Sequence, residues 1–556
     1  MSARIPAALR TRWSVAVIVS SLAVLSHLPA LENRFSRDDI PIVTENDLVT
    51  GTTTLSDVFA AFHHPYWPEI QLGLYRPLTI ATHGVICLAF GLEPFWYHLA
   101  SLLGHAAAAC LFTLWVIHLS GDRFAGLVGG ALWAVHPVHG EVVDTVVGRA
   151  DSMATACALA ALLLLRPAIR FGRLAAGALL LLAAMLCKES AVVVIAWLAL
   201  DFLVQHRAGK MNPARAAVAL AVAATAPIVY FMMKKCQLGY MGLAHHSTIL
   251  PLDNPLVLAP LPHRLLGVAN VWGTALIRIV WPFTQCADYS HPQLPAARLT
   301  LAGWVGFAIP AAITVYMIRR HRVHLSCPMG VLLFASAFLP VSNLVFPIGT
   351  IFADRLLYLP SMGIILALGW RLAALHGRIR LKAVLLMLLI VAVVLLSCRS
   401  WRRAPIWRDN ASLFAAAVRE APRSAKAWYN WGTLMAISRP DQMAVGSTPT
   451  GEAAAAYRQA LELYPEYKDA LYNLAALYLD QGQPLDGVGL LERAIEVGTV
   501  DPEVFNLLGV ANHRLGRTDA ARRAFSRTLE LAPDHAGAAL NLGMLELEAG
   551  RPAAAA

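Results

Sequence analysis

Two adjacent acids, Asp38 and Asp39, stand a short way past the first long apolar run, in the stretch FSRDDIPIVTEND (35–47). Glu45 and Asp47 follow closely. An acid flanking a membrane span can be nothing more than a solvated edge. A carboxylate held at the membrane surface can instead take the proton from an attacking hydroxyl.

Other chemistry-bearing residues favour the second reading. LYRP (74–77) puts Tyr75 and Arg76 at the end of the same loop, where a guanidinium suits a lipid phosphate. WAVHPVHGEVVDTVVGRADSM (133–153) packs His136, His139, Glu141, Asp144, Arg149 and Asp151 between two apolar runs. CKESAVV (187–193) adds Lys188 and Glu189, and FADRLLYLPSMG (352–363) adds Asp354, Arg355 and Tyr358. Ionisable groups at membrane depth are costly and usually functional. His136 and His139 with Glu141 have the spacing of weak metal ligands, but hydrogen bonding suits them better, so no metal or other cofactor is expected.

Together these groups fit one reaction. A sugar carried on a polyprenyl phosphate presents its phosphate at headgroup level. Arg or Lys would hold the leaving phosphate, and the carboxylate would deprotonate the acceptor hydroxyl as it attacks the anomeric carbon. A single displacement inverts that centre.

The elements that must position these groups are membrane helices. The chain has 556 residues, 57% hydrophobic and 14% charged, with mean hydropathy +0.56. Soluble domains carry about 25% charged residues. Apolar runs of spanning length recur at 13–30, 95–119, 124–138, 144–165, 173–187, 189–204, 214–233, 299–318, 328–347, 352–372 and 382–398, about eleven crossings. With the N-terminus inside, the inner loops collect Arg4, Arg10, Arg12, Arg123, Arg166, Arg170, Arg173, Arg207, Lys210, Arg215, Arg319, Arg320, Arg322, Arg371, Arg378, Arg380 and Lys382. The first outer loop, 31–76, has three basic and seven acidic residues. All the candidate groups then fall on the outer face. Segments 77–92 and 264–284 read as membrane-surface or re-entrant pieces. The net charge of +10 belongs to the short inner loops and does not indicate nucleic acid. The first apolar run lacks a small-residue cleavage site and reads as a retained helix. All eight cysteines precede residue 401, so no disulfide framework supports the polar tail.

That tail repeats. AWYNWG (427–432), ALYNLA (470–475), VFNLLG (504–509) and ALNLG (539–543) align Asn430, Asn473, Asn506 and Asn541. The later spacings match the tetratricopeptide period of about 34 residues, and the longer first one fits an insert at 438–451. Residues 409–422 look like the second helix of an atypical first repeat. Such helix pairs stack into a solenoid with a concave groove suited to extended polypeptide.

The chain resembles the transmembrane and tetratricopeptide-repeat protein O-mannosyltransferases of the GT-C glycosyltransferase superfamily. The stretches that carry the resemblance are the acidic pair, YRPLT, PFWYHLASLLGH, AVHPVHGEVVDTVVGRADSMA, KES, DYSHPQLP, DRLLYLPSMG and WRDNASLF, together with the repeats. The resemblance implies an all-α protein: a GT-C-like transmembrane bundle over 1–400, with its first outer loop and interfacial segment at 31–94, then three to four repeats over 401–556. It implies transfer of a sugar, by analogy mannose, from a polyprenyl- or dolichyl-phosphate donor to Ser or Thr of a polypeptide held by the repeats. Asp38 or Asp39, with Asp39 preferred, takes the place of the base. Tyr75, Arg76, Arg149, Lys188, Arg355 and Tyr358 fall to the donor phosphate and lipid, and His136, His139, Glu141, Asp151 and Glu189 to the sugar pocket. The Ala- and Arg-rich composition points to a bacterial inner membrane with loop and repeats in the periplasm; in a eukaryote they would face the ER lumen. A non-catalytic repeat scaffold leaves the clustered outer charges unexplained, and a transporter would spread them across the midplane. A GT-C enzyme with a glycan or lipid acceptor is a further alternative.

Overall fold

A computed structural model describes residues 11–67, 73–165, 170–207, 209, 211–240, 249–319, 326–376, 382–437 and 449–551. Every candidate site residue lies within them; Arg4, Arg10, Arg166, Lys210, Arg320, Arg322, Arg378, Arg380 and most of the 438–451 insert lie outside. The fold is all-helical, with no strand among the described residues. Two compact units form: the described residues of Met1–Ala287 with Leu294–Ala416, and Asp288–Gln293 with Ala417–Ala556.

In the first unit each expected apolar run contains a helix. Side chains of Thr11, Asp122 and Asn212 cap three of them by accepting from backbone N–H groups, and Pro213 opens the third at the position where a missing N–H costs nothing. Gly121, at φ 71°, ends the Pro94–Ser120 helix in the left-handed conformation. Four helices are long and apolar enough to cross a membrane by length and composition: Pro94–Ser120, Glu189–Arg207, Pro213–Leu238 and Ala383–Trp407. The other expected crossings are shorter or less apolar, as are Pro77–Phe90 and Leu261–Val280. The shortening has a local cause. At one end several runs break into 3-10 turns, at Pro137–His139, Glu189–Val193, Leu339–Val341 and Asp354–Leu357. Those turns and their flanks carry most of the candidate site residues.

Close helix crossings use small residues, as membrane bundles do. A Cβ on Gly273 would strike the backbone of Ala302, and one on Gly363 the backbone of Gly330. The core is aromatic and tightly layered, with Trp115 stacked on Trp197 at 5.3 Å between ring centres.

The second unit is a stack of antiparallel helix pairs: Ala425–Ile437 with Pro449–Leu463, Lys468–Asp480 with Pro484–Glu496, and Pro502–Arg514 with Thr518–Leu531, followed by Ala536–Glu548. Gly509 gives the Phe525 ring room that a Cβ would fill. The repeat asparagines reach along the stack: Asn473 donates to the Tyr429 hydroxyl (3.2 Å) and Asn541 to Asn506 (3.3 Å). Asp288 accepts from the Ser424 hydroxyl at 3.0 Å, one residue before the first of these helices.

Candidate active site

The acidic pair is held by a hung loop. Arg34 N–H donates to the Arg408 carbonyl at 2.7 Å, Ser36 Oγ to the Trp407 carbonyl, and Arg37 N–H to Asn410 Oδ1 at 2.7 Å. Arg37 sits at φ 49°, a conformation costly for a residue with a Cβ. This turn aims the next two side chains in different directions.

Asp39 points inward. It has no solvent exposure, and its carboxylate accepts from three backbone N–H groups: Ser36 at 3.2 Å, Val146 at 3.1 Å and Val147 at 2.9 Å. Burial pushes its pKa up to about 7, against the opposing pull of those bonds. Asp38 points outward. Its side chain is 38% exposed, and it makes a loose ion pair to Arg37 Nε at 3.8 Å.

Around the pair the charges lock together. Arg76 holds Glu189 bidentately, Nε to Oε2 at 3.0 Å and Nη2 to Oε1 at 2.6 Å. Lys188 Nζ pairs with Asp151 at 2.5 Å. Arg355 pairs with Glu141 through both its guanidinium and its backbone N–H, the latter at 2.9 Å. These pairs are neighbours: Asp38 and Asp151 both act electrostatically on Arg355, and Asp151 also on Arg76. The expected division of labour is therefore redrawn. Glu189, Asp151 and Glu141, expected in the sugar pocket, each neutralise a cation expected at the phosphate.

Five expected residues lie apart from that rim or are sealed from it. The Tyr75 hydroxyl donates to the Phe62 carbonyl at 2.8 Å, and the residue is fully buried. Tyr358 is also fully buried, its hydroxyl on His105 Nδ1 at 2.8 Å. His136 Nε2 meets the Ile279 carbonyl and His139 Nε2 meets Ser361 Oγ, in a cage around Trp133. Among the described residues no group of three or more His, Cys, Asp or Glu could hold a metal ion. Arg149 is 1% exposed, lies 5.6 Å over the Tyr97 ring, and donates to the Tyr97 carbonyl at 3.0 Å; its Nε and Nη1 have no partner among the described residues.

Sequence reasoning passes over three participants. His27 pairs with Asp144 at 2.8 Å, both fully buried. His105 joins that group, as a lone His in an apolar run that only packing could single out. Tyr66, in HHPYWPE, lies under the Arg76 guanidinium at 5.0 Å.

The comparisons with known proteins bear on this arrangement. Two tetratricopeptide-repeat family models match residues 450–510 and 506–556. Curated homologues covering most of the chain are glycosyltransferases by name. They are protein O-mannosyl-transferases of the TMTC family: TMTC3 of Homo sapiens, 25% identical over 93% of this chain and 68% of its own; F38B6.6 of Caenorhabditis elegans, 26% over 81% and 63%; and TMTC1 of Homo sapiens, 25% over 84% and 57%. This chain thus spans about two thirds of the length of the relatives it matches.

Proposed function

We propose that this protein is a multi-pass membrane glycosyltransferase that moves a sugar, mannose by its relatives' name, from a polyprenyl-phosphate donor to Ser or Thr hydroxyls of a polypeptide. The acid loop and the repeats share the outer face of a GT-C-like bundle of about eleven crossings, and the repeats recruit the acceptor. The observation that carries the reading is the split acidic pair: an accessible carboxylate on a strained turn, anchored by a buried neighbour and within electrostatic reach of the Arg355–Glu141 ion pair.

The geometry favours Asp38 over Asp39 as the base. Asp39 has both oxygens engaged by backbone and no exposure. Its role is to pin the loop to the Val146–Val147 turn. In the transfer step the acceptor oxygen bonds to the anomeric carbon while its proton passes to Asp38. The bond from that carbon to the phosphate oxygen breaks, and its electron pair leaves with the polyprenyl phosphate. Asp38 then gives the proton to solvent.

The test is hexose transfer in membranes holding wild type, Asp38→Asn or Asp39→Asn at equal protein level. Polyprenyl-phosphate mannose and polyprenyl-phosphate glucose are offered, and acceptors are read by intact mass. Asp38→Asn should lose on the order of a hundredfold or more, while Asp39→Asn keeps measurable transfer. Full activity in Asp38→Asn would remove it as the base.

A further inference from the structure

The three ion pairs pose a problem for any anionic donor. Arg76, Lys188 and Arg355 are each already neutralised by a carboxylate. Arg149, the fourth candidate cation, is buried beyond reach of a headgroup. A phosphate arriving beside Asp38 meets a rim with little net positive charge to offer. Stabilising the leaving group then calls for donors that carry no charge of their own, and the first outer loop supplies one.

Tyr66 is 5% exposed, so its ring is fixed. Its backbone N–H donates to the Leu74 carbonyl at 2.9 Å, and the Arg76 guanidinium covers the ring at 5.0 Å. Its hydroxyl makes no hydrogen bond among the described residues, and desolvation is the largest influence on it. A buried ring whose hydroxyl lacks a partner among the described residues is unusual, since buried Tyr hydroxyls normally find one. The place is telling as well. Asp38, Asp39, Asp151 and Arg76 all act electrostatically on this one phenol. It therefore packs against Arg76 of the ion-pair rim, within electrostatic reach of the candidate base.

We propose that Tyr66 is a further catalytic residue, whose hydroxyl donates a hydrogen bond to the phosphate of the lipid donor and strengthens that bond as the phosphate leaves. The inference rests on the donor being a lipid phosphate, as proposed above. When the anomeric C–O bond breaks, its electron pair adds charge to the phosphate oxygens, and a fixed neutral donor aimed at them gains most at that moment. Burial pushes the phenol up to about 12, so it stays protonated at working pH and can donate throughout. A neutral donor also tolerates the nearby carboxylates, where another cation would be drawn into one more pair.

Tyr66→Phe tests this cleanly, because it keeps the ring, the packing and the contact with Arg76 and removes one oxygen. The full-length protein in detergent is titrated with farnesyl phosphate and, separately, with farnesol, and transfer from polyprenyl-phosphate mannose is measured alongside. Wild type should bind farnesyl phosphate more tightly than farnesol. The variant should lose on the order of tenfold in farnesyl phosphate affinity, with farnesol affinity and melting temperature unchanged, and transfer should fall by at least as much. Wild-type affinity and transfer in Tyr66→Phe would overturn the assignment while leaving the transferase reading intact. Wild type that neither prefers the phosphate to the alcohol nor transfers from the lipid donor would overturn the donor reading, and Tyr66's role with it.

Discussion

The ion-pair rim and the histidine cage solve the same difficulty in opposite ways. Both bring ionisable side chains into a largely apolar bundle. At the rim, Arg76 with Glu189, Lys188 with Asp151 and Arg355 with Glu141 meet as opposite charges, each pair partly open to solvent. In the cage, His105, His136 and His139 are buried, and each bonds a backbone carbonyl or a hydroxyl rather than an acid. A charge out of water must be paired or given up. The rim keeps its charges and spends them on one another; the cage relies on hydrogen bonds and ring contacts. Only the rim, with Asp38 beside it, retains groups that could respond to an anion.

The largest effect that would break this contrast comes from unpairing the rim. Glu189→Gln leaves Arg76 largely buried without its counter-ion, a change that costs roughly 3 kcal/mol or more in folded proteins. We expect a loss of that order in denaturant unfolding of the detergent-solubilised protein. A silent Glu189→Gln would mean that the bidentate pair does not hold the loop, and the rim would cease to be distinct from an ordinary wet surface.

A smaller effect sharpens the other side. Tyr358→Phe removes the hydroxyl that meets His105 and should cost about 1 kcal/mol of stability. Transfer by the variant should match wild type in both kcat and KM for the donor. A fall in transfer without a change in stability would return Tyr358 to the donor site, where sequence resemblance alone had put it.

That pattern marks how far the sequence can be read. Hydrophobic runs located the helices well, because burial in a membrane bundle leaves a long apolar signature in the chain. Run length misled about their ends, since apolar residues continue through the turns at 137–139, 189–193 and 354–357 that interrupt regular helix. The repeats were legible because the Asn430, Asn473, Asn506 and Asn541 frame recurs with the helix-pair period. The charges were legible as a set but not as partners. Glu189 is more than a hundred positions from Arg76, and Glu141 more than two hundred from Arg355, so no local spacing could show that each cation is neutralised. Tyr66 carried no signal at all, because its interest lies in a hydroxyl without a partner among the described residues, which only the packing around it reveals.

The finest test lies between neighbours. Asp38 and Asp39 differ by one position, yet burial raises Asp39 from its ordinary 3.8 to about 7. The folded protein therefore holds a proton on Asp39 more tightly than the unfolded chain does. Between those two values the native state binds more protons, so this residue's contribution to stability is greatest below the unfolded value and is lost as pH rises through about 7. Asp39→Asn removes that dependence while leaving a side-chain carbonyl to accept from Val146 and Val147. The stability of wild type relative to Asp39→Asn should thus decline between roughly pH 4 and pH 7 and level off above that, read as the difference in melting temperature between the two proteins. Asp38→Asn should follow the wild-type trend closely, because its carboxylate is only one of the lesser influences on Asp39. Parallel curves for wild type and Asp39→Asn would mean that Asp39 is ionised as easily as a surface acid. The inward anchor would then be open to water, and the assignment of base and anchor within the pair would have to be reversed or abandoned.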